Sequence, residues 1–132
     1  MSLLLIRHST AGDRESWEGD DRLRPVDERG RRQSEALIDA LAGYTIDRIV
    51  SSPYLRCVQT VEPLAEALGV ELEEDPRLEE GAGAAAATVL REDGVVCCTH
   101  GDIVEELLGH SLKKGAAVVL EDGRLVREIP AP

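Results

Sequence analysis

Arg7 and His8 stand directly behind the apolar run Leu3-Leu4-Leu5-Ile6, and a second histidine repeats the arrangement where Val95-Val96-Cys97-Cys98-Thr99 runs into His100-Gly101. Apolar runs of this length read as buried strands. In an open α/β sheet, ligands bind in the crevice at the carboxyl ends of the strands, so two histidines far apart in sequence can meet there. A further cation, Arg56, falls in the first turn of a helix that Ser52-Pro53 is expected to open, with serine as the cap and proline at the first helical position. Phosphoryl transfer is the chemistry that uses two arginines and two histidines in one crevice. A guanidinium fork binds phosphate oxygens through paired hydrogen bonds, and a helix N-terminus adds N–H groups and a positive dipole end. A neutral imidazole can attack phosphorus, and a second one can donate to the charge that spreads over the transferring group.

The elements that must place these groups alternate along the chain. Residues 3–7 read as a strand and residues 9–26, with Gly12, Gly19 and Pro25, as a polar loop or lid. Asp27 can cap a helix over about residues 28–42, whose Leu37, Ala40, Leu41 and Tyr44 form one apolar face. Asp47 to Ser51 reads as the next strand. The helix opened by Ser52-Pro53 follows, with a kink or restart expected at Pro63 and an end at Gly69. Val70–Leu72 reads as a short strand, residues 73–81 as an acidic loop, and the alanine-rich residues 82–92 as a helix. Gly94–Thr99 is a buried strand and Asp102–Leu108 a short helix. Ala116–Leu120 and Leu125–Ile129 flank Asp122-Gly123, a hairpin signal. This order predicts a three-layer α/β/α fold: a mostly parallel sheet with helices on both faces and a C-terminal antiparallel hairpin.

At 132 residues the chain reads as one domain, residues 1–132. It has no Phe, one Trp and two Tyr, so its core is expected to be built from Leu, Val, Ile and Ala. No apolar stretch approaches the ~20 residues that span a bilayer, and the N-terminal run is too short for a signal peptide. These features predict a cytoplasmic protein with no membrane partner. Cys97 and Cys98 should point to opposite faces of their strand and, with Cys57, read as small buried hydrophobes rather than disulfide or zinc ligands. The net charge of −11, from 26 acids and 15 bases, argues against nucleic-acid binding. Its long-range repulsion of an anion is screened beyond ~8–10 Å, which leaves local arginines to decide binding. Nothing in the sequence specifies an oligomeric state.

Three motifs in order, Leu-Leu-Ile-Arg7-His8, Ser51-Ser52-Pro53-Tyr54-Leu55-Arg56-Cys57-Val58-Gln59-Thr60 and Thr99-His100-Gly101, resemble the signatures of the histidine phosphatase (phosphoglycerate mutase-like) superfamily. The short chain is most similar to the SixA-type phosphohistidine phosphatase branch, and its Asp21-to-Gly30 stretch resembles that branch's arginine-proline segment. That stretch is also similar to the phosphatase-like half of certain two-domain Nudix hydrolases. The resemblance implies that His8 is the phosphorylated nucleophile and that Arg7, Arg56 and His100 hold the phosphoryl oxygens. It also implies that Arg24 reaches the phosphate pocket; from its charged loop alone, Arg24 reads equally as solvated or ion-paired. The family's general acid, where present, is a carboxylate after the third strand. Leu78-Glu79-Glu80 occupies that region, and Glu80 fits the leucine-x-glutamate pattern better than Glu79, although SixA-like proteins often lack the residue. Ser9 replaces the glycine that commonly follows the histidine.

The implied reaction is a metal-independent, cofactor-free hydrolysis in two steps through a phosphohistidine. Its substrate would be a phosphohistidine protein or a small phosphate ester. The alternatives are a catalytically weak phosphate-binding regulatory module and a sugar-phosphate mutase, which the small size disfavours. His8 must be neutral to attack. The acidic chain raises its pKa and the adjacent arginines lower it, and the near charges are expected to win. Taken singly, a histidine after a strand is usually structural; its joint occurrence with Arg7 and Arg56 reverses that reading. Glu80 lies among Glu71, Glu73, Glu74, Asp75 and Glu79, where a solvated face is the plainer role. His110 reads as a helix-end residue, and Trp17 as packing for its loop or a cover over the pocket.

Overall fold

The alternating pattern folds as a six-stranded mixed sheet. A computed structural model describes residues 2–91 and 93–132. Strands β1 (Leu3–Arg7), β2 (Arg48–Ser51), β3 (Leu72–Glu74), β4 (Val95–Thr99), β5 (Ala117–Glu121) and β6 (Arg124–Ile129) lie in the order β3-β2-β4-β1-β5-β6. The first four in that order are parallel, and β5 and β6 add an antiparallel hairpin. Helices α1 (Glu28–Ala40) and α2 (Leu55–Leu68) cover one face, where Leu37, Val61 and Leu64 pack on Leu4, Ile6, Val96 and Cys98. Helix α3 (Gly101–Leu108) covers the other, with Ile103 and Val104 on Leu3, Leu5 and Cys97. Both sides of each central strand are buried, which explains the continuous apolar runs. Cys97 and Cys98 point to opposite faces as expected, and Asp122 (φ 51°) and Gly123 (φ 76°) make the left-handed turn the hairpin requires.

The connections decide where the crevice opens. The chain leaving β1 passes through α1 over one face to β2, and the chain leaving β4 passes through α3 over the other face to β5. The two therefore diverge at the carboxyl ends of adjacent strands, β1 and β4. The loop after β1 returns to the start of α1 through Asp27. Its carboxylate caps the Gly30 N–H (2.8 Å) and also accepts from the Thr10 hydroxyl (2.5 Å) and the Gly12 N–H (3.0 Å). Gly30 allows this approach: a Cβ there would lie 2.0 Å from the Thr10 carbonyl oxygen. Gly30→Ala is expected to force the loop off the helix and cost about 1–3 kcal/mol in a thermal or urea melt.

Two elements differ from their expected form, and a third takes a tighter one. Helix α2 begins at Leu55 with Tyr54 as its N-cap residue, whose side chain makes no capping bond. The helix is continuous through Pro63, without the expected restart. Strand β3 is displaced from Val70–Leu72 to Leu72–Glu74. This brings Glu73 opposite Val50 and into a two-point ion pair with Arg48 (3.0 and 2.9 Å), which a solvated edge strand tolerates. The alanine-rich stretch is helical as expected, in the tighter 3-10 form over Gly83–Arg91. Its buried Ala86 and Val89 are three apart, the period of the tighter helix. Residue 92, the end of the expected helix, lies outside the described residues.

Candidate active site

The register of β1 against β4 makes the pocket. Arg7 pairs with Thr99, so His8 and His100 leave neighbouring parallel strands at the same level. The His8 N–H donates to the Thr99 carbonyl (3.0 Å). The imidazole centroids are 5.5 Å apart in an edge-to-face arrangement, and both rings are buried. Strand β2 flanks β4 on its other side, and the Ser52 N–H donates to the Cys98 carbonyl (2.9 Å). This brings α2, with Arg56 in its first turn, to the same end of the sheet. Thr60, one turn further on, ties that helix to the loop after β1: its hydroxyl donates to the Arg56 carbonyl (2.7 Å) and accepts from the Ser9 N–H (2.8 Å). The Ser9 side chain is buried against the Ser34 hydroxyl (3.1 Å), away from the His8 ring chemistry.

The hydrogen bonds assign the tautomers. His8 Nδ1 lies 2.8 Å from the Ser9 carbonyl, which can only accept. The proton therefore resides on Nδ1, and Nε2 keeps its lone pair. Burial is the main force that lowers the His8 pKa, to about 3. The charges of His100, Arg56 and Arg7 add to it, against the opposing Ser9 hydrogen bond. The expected direction holds, but desolvation outweighs the near charges. His100 Nε2 lies 2.9 Å from the Ser52 hydroxyl and 3.5 Å from Cys57 Sγ. The Ser52 oxygen accepts from the Tyr54 N–H (3.3 Å), so its own hydrogen is free to donate to Nε2. We assign the His100 proton to Nδ1, which is buried without a partner.

The depressed pKa links to stability with a definite sign. Below the ordinary histidine value of 6.5, the unfolded chain takes up a proton that folded His8 refuses until about pH 3. Stability contributed by neutral His8 is therefore present above 6.5 and lost as pH falls across that window, with a slope of about 1.4 kcal/mol per pH unit. Urea melts from pH 7 to 4 should show this slope in the native protein and lose it in His8→Asn.

Arginines surround the two rings. Arg56 is fully buried, with its guanidinium 4.8 Å from the Tyr54 ring centroid, and Tyr54 in turn meets His100 edge-on at 4.6 Å. The Arg7 guanidinium donates to the Leu112 carbonyl (2.5 Å) and lies against the Gly101 backbone, where a Cβ would stand 2.8 Å from it. Arg24 is also buried, donating to the Ala11 carbonyl (2.5 Å) and Asp21 (2.9 Å), so the solvated reading of this residue does not hold. Glu80 meets Arg14 and, at 3.4 Å, Arg56, and its carboxylate is 4.0 Å from His100 Nδ1. Glu79 turns to Arg22 (3.0 Å), so Glu80 is the carboxylate of that pair at the pocket.

Three polar residues at the site carry more than the sequence indicated. Ser52 reads as a helix cap but orients His100. Asp21 reads as one acid in a charged loop but holds both Arg24 and Arg56. Arg14 joins Glu80 and Asp21. Asp21 stands three residues before Arg24 in the 3-10 turn Asp21–Leu23, and that spacing was the available signal. Trp17 is half-exposed; its indole donates to the Asp20 carbonyl (2.9 Å), and it shares a cavity of about 270 Å³ with Arg24. His110 is an exposed residue beyond α3, as expected.

Comparison with known proteins agrees with this fold. The chain is 37% identical over 116 residues to an 8-oxo-(d)GTP phosphatase of Mycolicibacterium smegmatis, covering 81% of this chain but 36% of that protein. It thus spans about a third of the length of that curated relative. The fold is similar to a protein histidine phosphatase SixA complexed with tungstate (TM-score 0.77, 24% identity, 98% of this chain and 97% of the other). A putative phosphohistidine phosphatase SixA from Agrobacterium tumefaciens is similar to the same degree (TM-score 0.78, 21% identity, 99% and 98%). The matching family model, histidine phosphatase superfamily (branch 1), spans residues 3–86 and so includes His8, Arg56 and Glu80, while His100 is placed by the sheet register. On that match, and on the arrangement of its strand ends, this chain belongs to the histidine phosphatase superfamily.

Proposed function

We propose that the chain hydrolyses a phosphoryl group through a phosphohistidine at His8, with a phosphohistidine protein or a small phosphate ester as substrate. The observation that carries this reading is a set of buried nitrogens without partners at one pocket: Arg7 Nε, Arg56 Nε and His100 Nδ1. Buried donors are rarely left unpaired, and three around a neutral imidazole suit an anion with several oxygens. His8 Nε2 attacks phosphorus in line, and the P–O or P–N bond to the leaving group breaks. Arg7, Arg56 and His100 Nδ1–H stabilise the three equatorial oxygens. Water then attacks the phosphohistidine, phosphate departs, and the N–P electron pair returns to Nε2. Arg24, which shares Asp21 with Arg56, is a further cation for the anion. A phosphoramidate substrate suits the site best, because its leaving nitrogen is readily protonated. For an ester, Glu80 is the carboxyl placed to supply the proton.

A second reading, a nucleotide substrate, is favoured by the identity to the 8-oxo-(d)GTP phosphatase. The two separate in one assay. Protein quenched in alkali after brief exposure to phosphohistidine protein, p-nitrophenyl phosphate or guanine nucleotides should carry acid-labile phosphate on His8, formed fastest with the true class. Release of phosphate without such an intermediate would defeat the proposal, as would no release from any of them. Transfer within a sugar phosphate without release of phosphate would point to a mutase instead.

A further inference from the structure

The pocket already contains an anion of its own. The two Asp21 carboxylate oxygens lie 3.1 Å from Arg56 and 2.9 Å from Arg24, and its main-chain carbonyl accepts from Arg56 at 2.8 Å. A third guanidinium, Arg14, is 3.7 Å away. One residue thus presents oxygens to two buried arginines, as a phosphoryl group would. Resting on the reading of the site given above, we propose that Asp21 is an internal occupant of the phosphoryl pocket, that substrate and product bind by displacing it, and that it thereby sets the affinity for phosphoryl dianions.

The packing makes the exchange feasible. The Asp21 side chain is 32% exposed, against 0% for Arg56 and 7% for Arg24, so the carboxylate can turn into water while the guanidiniums stay fixed. Replacing it by phosphate leaves no buried cation without a counter-charge, and the dianion makes the stronger charge-assisted bonds. Burial pushes the Asp21 carboxyl up, but the Arg24 hydrogen bond and the charges of Arg56, Arg24 and Arg14 hold it below the ordinary carboxylate range. At neutral pH it therefore competes as an anion. The residue rides on a turn fastened from both sides: the Asp20 side chain accepts from the Arg22 N–H (2.9 Å), and the Arg24 N–H donates to the Asp21 carbonyl (3.2 Å). Binding through a state in which Asp21 has swung away lowers the apparent affinity by the population of that state.

The test is calorimetric titration of inorganic phosphate into the protein at pH 7. Asp21→Asn should bind phosphate roughly tenfold more tightly, with KM and the phosphate inhibition constant falling by the same factor. Glu18→Gln makes the same change in net charge at an exposed position three residues away and should differ from the native protein by less than about twofold. On the native chain, adding vanadate should speed amide exchange at Leu23 and Arg24, whose N–H bonds close the turn. Equal or weaker phosphate binding by Asp21→Asn, or slower exchange with vanadate, overturns the proposal. If the native protein still forms phosphohistidine, only the role of Asp21 falls. If neither protein binds phosphate and His8 is never phosphorylated, the reading of the pocket itself falls.

Discussion

His8→Ala should leave no acid-labile phosphoenzyme and reduce kcat at least about a thousandfold, the scale seen when a nucleophile that acts with its neighbours is removed. The variant should still fold. The ring is buried but makes one hydrogen bond, to its neighbour's carbonyl, and the β1 backbone pairing is independent of it. Phosphate should still bind, because the arginines and His100 stay in place. Binding without turnover would separate the attacking group from those that hold the anion. Residual turnover within tenfold of the native protein would mean that His8 is not the attacking group.

Arg56→Lys should cost about 10²–10³ in kcat/KM, the loss expected when a preorganised donor to the developing charge is removed. An ammonium keeps the charge but lacks the planar fork that reaches both the Asp21 carbonyl and its carboxylate. Arg56→Ala should lose at least as much activity and also about 1–3 kcal/mol of stability, because Asp21 and Glu80 lose their shared buried partner. The lower cost of a partly exposed carboxylate left alone keeps this below the penalty for a fully buried pair. A fall in melting temperature for alanine but little for lysine, with activity lost in both, would separate the cation's structural part from its part in catalysis.

Much of this site was legible because strand ends are legible. Apolar runs that stop at Arg7-His8 and at His100 place those residues at the carboxyl end of one sheet in any parallel arrangement, and Arg56 follows from the helix after β2. What the sequence could not supply was which polar side chain answers which. Ser52 could satisfy a helix terminus or a histidine with equal chemistry, and the sheet register chose the histidine. Arg24 and Asp21 lie in a loop whose periodicity says nothing of burial; the docking of Asp27 on Thr10 and Gly12, with Gln33 on Thr10 and Gln59 on Val26, folds that loop inward. The acidic stretch read as a loop could become β3 because Arg48 stood opposite to receive Glu73. Alanine content suggested a helix at 82–92, and packing against α3 selected its three-residue period.

The pairing of β1 with β4 joins segments about ninety residues apart in sequence. Closing so long a loop is entropically costly and comes late, after locally determined helices have formed. During refolding, helical ellipticity should therefore recover before any vanadate-binding capacity does. A polypeptide emerging from synthesis would carry its imidazole on an unpartnered strand until β4 and His100 arrive, and so stay inert until that strand has paired.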